Sequence, residues 1–280
     1  MSTILDGMTV ALMATRVREE HPMIHHITNS VVTNFTANIT LAMGAAPVMA
    51  PSLAESAEMA GYAGALLLNI GTIDPDLLAS MLAAGRAANE KGIPIVLDPV
   101  GAGATKLRTD AVNTLLSELK ISIIRGNPGE ILSLAGTSGE VRGVDSLATG
   151  EGRDSIFMAF AERTGIITAV SGETDFITDG TDWIKVHNGH PAMASVTGTG
   201  CGATTAIACF AASAKPLFES VASAIACYNI AGELAVENSR GPGSFVPEFI
   251  DQLFVLNEYT IHSRLQFEID GDGDNDDVGL

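Results

Sequence analysis

The sequence predicts an α/β fold, a mostly parallel central sheet covered by helices on both faces. Short apolar runs alternate with longer helical patterns: "APVMA", "AESAEMAGYA", "GALLLNIG", residues 74–91 and "IPIVLDPVG". That alternation is the mark of parallel strands buried on both sides. Polar residues follow directly on the apolar runs, at Asn69, Asp98, Asn127 and Ser171. All four then fall at the carboxyl edge of the sheet, where open α/β sheets bind ligands. The chain has 280 residues, 46% of them apolar and 17% charged, enough to bury a large core in one domain.

Residues 3–20 read as an amphipathic helix, followed by the polar loop "HHITN" and a second helix in "VVTNFTANITLAMG". Side chains at adjacent positions diverge, so one of His25 and His26 is expected to be packed and the other exposed. Asp74-Pro75-Asp76 reads as a helix start. "ISIIRGNPGEI" is a strand turning into a helix, and the glycine-rich stretch 136–152 is a mobile loop before a helix at 153–164. In "GIITAVSGETDFITDG" a strand leads into a hairpin with "WIKVHNG" as the returning strand. Three helical runs close the chain, one from Cys201, one over 217–238 and one over 247–264. With no linker or repeat, one domain is expected over 1–268, followed by an acidic tail over 269–280. The tail resembles the start of a calcium loop, but Asn275 stands where the turn glycine belongs and no twelfth-position Glu follows. It reads as solvated and disordered.

The formal charge of −18 repels phosphate backbones, which argues against nucleic acid as a partner. Three cysteines without metal-ligand spacing favour a reducing, cytoplasmic setting. Polar residues interrupt every apolar stretch of the first twenty positions, so neither a signal peptide nor a membrane span is expected.

Gly198-Thr199-Gly200-Cys201-Gly202 leads into a helical run. Glycines let successive N–H groups converge, and the helix adds its positive end, so the loop is an anion hole in outline. A structural tight turn is the plain alternative. Gly198, Gly200 and Ala203 also match a dinucleotide fingerprint, but Glu219 falls in a helical stretch where a strand end is required, and no Lys-Ser or Lys-Thr makes a P-loop. Asp98, in "LDPVGAGATKLR", either caps a turn or serves a metal. Glu130, in "RGNPGE", either caps a helix or joins Asp98 around Mg²⁺ held mostly through waters. Arg125 supplies a fixed cation for phosphate. Together these residues outline a phosphoryl-transfer site, with Thr197 and Gly200 expected beside the nucleotide.

"HITNSVVTNFTANITLAMGAAPVMA", "LLLNIGT", "LDPVGAGATKLR", "RGNPGEI", "GVDS", "NGHPAMASVTGTGC" and "GPGSF", in order from residue 25 to about 245, resemble the hydroxyethylthiazole kinase family of thiamine salvage, with its three-layer ribokinase-like fold. The resemblance implies ATP- and Mg²⁺-dependent phosphorylation of the hydroxyl of 4-methyl-5-(2-hydroxyethyl)thiazole by a homotrimer with sites between subunits. It places Asn29, Met49 and Gly198 at the thiazole, Arg125 and Ser171 at ATP, and Asp98 and Glu130 at the metal. Ser171 stands where many relatives have Thr. Cys201 occupies the position where related sugar kinases carry an Asp base, beside the attacking hydroxyl. A helix N-terminus and nearby cations are expected to lower its pKa toward a proton-accepting thiolate. Two rival readings share these features: a dehydratase of hydrated nicotinamide cofactors, expected to carry Asp in place of Cys201, and a non-catalytic thiazole- or nucleotide-binding protein.

Overall fold

Runs of consecutive aliphatic residues can bury both faces only inside a sheet covered on two sides. The computed structural model describes residues 5–136 and 150–270 and places those runs in such a sheet. In chain order the elements are α1 (Gly7–Glu20), β1 (Met23–Ile27), α2 (Thr33–Ala42), β2 (Ala46–Met49), α3 (Ser56–Ala60), β3 (Ala65–Asn69), α4 (Pro75–Lys91), β4 (Ile95–Asp98), α5 (Lys106–Glu118) and β5 (Ile123–Gly126). There follow α6 (Pro128–Gly136), α7 (Gly150–Thr164), β6 (Ile167–Val170), β7 (Asp175–Thr178), β8 (Trp183–Val186), α8 (Thr199–Ser213), α9 (Leu217–Asn238), α10 (Pro242–Val255), α11 (Glu258–Arg264) and β9 (Phe267–Ile269).

The nine strands form one sheet in the order β2-β1-β3-β4-β5-β6-β7-β8-β9. The first six in that order pair in parallel, and β7, β8 and β9 pair antiparallel. Side chains alternate between faces with the strand period of two. Leu67 and Val96 therefore pack with α1, α2, α8, α9, α10 and α11 on one face. Their neighbours Leu66, Leu68, Ile95 and Leu97 pack with α3 to α7 on the other. Helices α8 and α9 are alanine-rich and apolar nearly all round, and both are buried along most of their length, as a helix without a polar face must be.

The structure departs from the sequence reading at four places. "HHITN" is not a loop at this point: His25 and His26 lie within β1, and both are buried. Their rings do point apart, but helices cover each face of the strand, so His25 Nε2 meets the Ala50 carbonyl at 3.0 Å and His26 Nε2 meets Thr40 Oγ1 at 3.1 Å. The run 247–264 is two helices, because Leu256 leaves helical geometry and Asn257 caps α11 by accepting the Thr260 N–H at 3.1 Å. Helix α5, opened by its cap Thr105, is not separable by pattern from the glycine-rich loop before it. Strand β9 pairs with β8 as far as Ile269, one residue beyond the expected end of the domain. Asp74 caps α4 as anticipated, accepting the Leu77 N–H at 2.7 Å. The expected mobile loop falls largely at 137–149, and the tail at 271–280, both outside the described residues.

Candidate active site

The loops after β1, β3, β4, β5 and β6 meet at the carboxyl edge and are tied to one another. Ser30 N–H donates to Thr72 Oγ1 at 3.1 Å, Arg108 donates to the carbonyls of Gly71 and Val100 at 2.8 and 2.9 Å, and Ser171 Oγ donates to the Gly126 carbonyl at 3.3 Å. These bonds satisfy loop backbone that would otherwise need water. They also fix the separations of the side chains between them.

Asp98, the last residue of β4, is 2% exposed. Its Oδ2 accepts from Asn69 Nδ2 at 2.7 Å and from Thr204 Oγ1 at 3.0 Å. Burial pushes its pKa up to about 6, against the pull of Arg125 and with the push of Glu130. Cys201, in the first turn of α8, accepts from Asn69 Nδ2 at 3.2 Å and from Asn29 Nδ2 at 3.8 Å. The surroundings run against the expected thiolate. Burial first, then the charge of Asp98, push the Cys201 thiol up to about 12, against the pull of the Asn69 hydrogen bond and of Arg125. The helix end that was expected to favour the anion is present, but burial and then the Asp98 carboxylate act against it.

At the start of α8, Gly198 is the cap, with φ +92° and no side-chain bond to the helix. Its left-handed backbone suits glycine, and a Cβ would meet Val32 Cγ1 at 2.7 Å. The first intrahelical donor is Gly202 N–H, bonded to the Gly198 carbonyl at 2.8 Å. The N–H groups of Thr199, Gly200 and Cys201 precede it, so this end retains its capacity for an anion. Arg125 from β5 approaches the same turn, and a Cβ on Gly200 would lie 2.8 Å from its Nη1. Tyr228 O–H donates to the Thr199 carbonyl at 2.7 Å and props the turn from behind. In front of it opens a cavity of about 800 Å³, lined by Arg125, Ser171, Thr199, Gly200, Asp175, Tyr228 and Asn229 among others.

Glu130 closes a reciprocal cap. Its Oε2 accepts the Asn127 N–H at 2.8 Å, while its own N–H donates to Asn127 Oδ1 at 3.0 Å. Oε1 accepts the Gly101 N–H at 2.8 Å and so ties the loop after β4 to α6. Among the described residues no group of three His, Cys, Asp or Glu can hold a metal unaided. Two carboxylates with remaining lone pairs, near enough that Glu130 acts on the charge of Asp98, form a hard-oxygen set. It fits Mg²⁺ held through waters and phosphate oxygens rather than an all-protein cage.

A family model described as the hydroxyethylthiazole kinase family matches residues 14–259. The chain belongs to this family. A hydroxyethylthiazole kinase of Methanocella arvoryzae is 49% identical over 252 residues, covering 90% of this chain and 95% of that one. Another, of Chloroflexus aurantiacus, is 50% identical over 248 residues, covering 89% and 92%. A solved structure of hydroxyethylthiazole kinase protein from Pyrococcus horikoshii superposes with a TM-score of 0.86 at 40% identity, over 93% of this chain and 98% of that one. The fold is ribokinase-like and the protein is a kinase.

Of the residues singled out from sequence, Asn29, Asp98 and Cys201 form one hydrogen-bonded group, and Arg125, Ser171 and Gly200 share the large cavity. Gly198 lies between the two, against Val32. Met49 stands half-buried on the edge strand β2, opposite His26 in register. Thr197 is exposed, and it is Thr199 that lines the cavity. Sequence reasoning placed Asn69 at the sheet edge without a role, and passed over Thr204, Tyr228, Asp175 and Asn229. Thr204 and Tyr228 sit in alanine-rich helices that read as pure core. Only the packing of those helices on the sheet points them at the site.

Proposed function

We propose that this chain catalyses ATP-dependent phosphorylation of the hydroxyl of 4-methyl-5-(2-hydroxyethyl)thiazole, a step of thiamine salvage. The observation that carries the reading is the α8 turn. Free backbone donors and the Arg125 guanidinium converge there beside a cavity of about 800 Å³, and the Asn29, Asp98 and Cys201 group adjoins it. ATP occupies the cavity, with phosphates at Thr199, Gly200 and Arg125 and a hydroxyl contact from Ser171. The thiazole lies by Asn29, Met49 and Gly198, with its hydroxyl at Cys201.

Phosphoryl transfer in a loose transition state asks mainly for positioning and for stabilisation of spreading negative charge. The α8 amides and Arg125 supply the second at fixed positions. Cys201 remains a neutral thiol and orients the attacking hydroxyl, which keeps its proton until late. Asp98 and Glu130 would hold Mg²⁺, which when bound neutralises phosphate charge. The working form is a cytoplasmic homotrimer that completes each site between subunits. In support, β2 is a sheet edge, and Val31 and Leu53, in the loops after β1 and β2, are 68% and 56% exposed. The acidic tail stands outside the kinase domain. No observation favours the dehydratase reading, and relatives of half identity across the chain are kinases.

Incubation of the purified protein with Mg-ATP and the thiazole alcohol is expected to give the thiazole phosphate by mass spectrometry, and none when metal is omitted. Binding of both ligands without product would instead favour a binding protein.

A further inference from the structure

Asn69 ends β3 directly opposite Asp98 in the parallel register, and it is fully buried. Its carboxamide is saturated. Oδ1 accepts from Asn29 Nδ2 at 2.8 Å and from the Gly71 N–H at 3.0 Å. Nδ2 donates to Asp98 Oδ2 at 2.7 Å and to Cys201 Sγ at 3.2 Å. A primary amide offers two donor hydrogens and two acceptor sites, so all four are used. Its orientation follows from its partners, because an N–H faces one end and a carboxylate the other. Only the Gly71 bond is the ordinary turn contact of an Asn at a strand end. The other three run to side chains of the site, in the loop after β1, on β4 and on α8.

We propose that Asn69 is a positioning residue for phosphoryl transfer, a single rigid amide that holds Asn29 on the alcohol side at a fixed separation from Asp98 and Cys201 on the transfer side. This rests on the kinase reading above. The placement is demanding in a way that core packing is not. Asn69 and Asp98 are paired through adjacent strands, so the amide reaches the carboxylate without a flexible stem. Gly71 has no room for a side chain, since a Cβ there would meet Asn29 Nδ2 at 2.7 Å. The loop after β3 is thereby pressed against Asn29 and the amide pair is held closed. The large cavity has no Asn69 in its lining, so loss of this amide should separate alcohol positioning and transfer from nucleotide binding.

Wild type, Asn69→Ala and Asn69→Ser are compared by thermal melting, by calorimetric binding of a non-hydrolysable ATP analogue and of the thiazole alcohol, and by steady-state turnover. For Asn69→Ala, kcat is expected to fall about 10- to 100-fold, the range for losing bonds to a charged partner. Alcohol binding should weaken about tenfold and ATP-analogue binding should change less than about threefold. Asn69→Ser, which keeps a small donor and acceptor at the strand end, should lie between, and it carries the test if the alanine variant does not fold. Unchanged kcat in a folded variant, or a loss of ATP-analogue binding equal to the loss of turnover, overturns the proposal. If the wild type makes no product, the kinase reading is what fails. The positioning claim is then judged by alcohol binding alone, and an unweakened affinity overturns it.

Discussion

Cys201 shows how a single side chain takes its character from neighbours far along the chain. Its own stretch, glycines leading into a helix, argues for a lowered pKa. Burial of the thiol, and then the charge of Asp98, more than a hundred positions away, act in the opposite direction, while the Asn69 amide bonded to both pulls only partly back. With the thiol near 12, the group stays protonated from pH 6 to 9 and contributes no titrating limb there. Cys201→Ala is accordingly expected to keep about a tenth or more of the wild-type kcat, since positioning rather than proton abstraction is lost. Its pH–rate profile over that range should have the wild-type shape. A wild-type limb that rises with pH and vanishes in Cys201→Ala would restore the thiolate base. The types of these residues were legible in the sequence. Their mutual distances were not, because adjacency across strands is absent from a linear reading.

Among the elements, α8 does most to define the site, and its first turn is held from three sides. Gly198 turns the chain, Tyr228 from α9 holds the Thr199 carbonyl, and Arg125 from β5 fills the space beside Gly200. A methyl group at Gly200 would meet the guanidinium rather than backbone, so the helix should survive Gly200→Ala while Arg125 swings aside. Because Arg125 serves both the bound phosphates and the charge that develops in transfer, kcat is expected to fall about tenfold and KM for ATP to rise, with the melting temperature kept; steady-state kinetics at varied ATP checks this. A parallel fall in melting temperature and kcat would mean that the turn itself had been disrupted. The glycine loop and its helix were legible from composition. Tyr228 and Thr204 were not, since an apolar helix carries no mark of which polar residue faces a neighbour. His25 and His26 make the same point, because local divergence of side chains does not say whether both faces are covered.

At the scale of the molecule, the sheet ends on one side in β2, a short parallel edge strand carrying Met49, with exposed Val31 and Leu53 nearby. The homotrimer proposed above would cover this edge and its apolar neighbours. Light scattering is expected to give three times the chain mass. Leu53→Asp should shift that mass toward the monomer and lower activity by about tenfold or more, as expected when an apolar anchor of an interface is replaced by an unpaired charge. A monomeric and fully active wild type would remove the need for a shared site.

By itself the sequence determined the layered α/β plan, the sheet edge that carries the site, and the residue types suited to phosphate and metal. Each of these follows from short-range periodicity and from which residues end apolar runs. The tertiary structure decided that burial and Asp98 push the Cys201 thiol up, that Glu130 is also a cap, that Asn69 bonds Asn29, Asp98 and Cys201 at once, and that two helices rather than one follow Gly241. Those outcomes depend on through-space distance, burial and competition for hydrogen bonds between segments far apart in the chain.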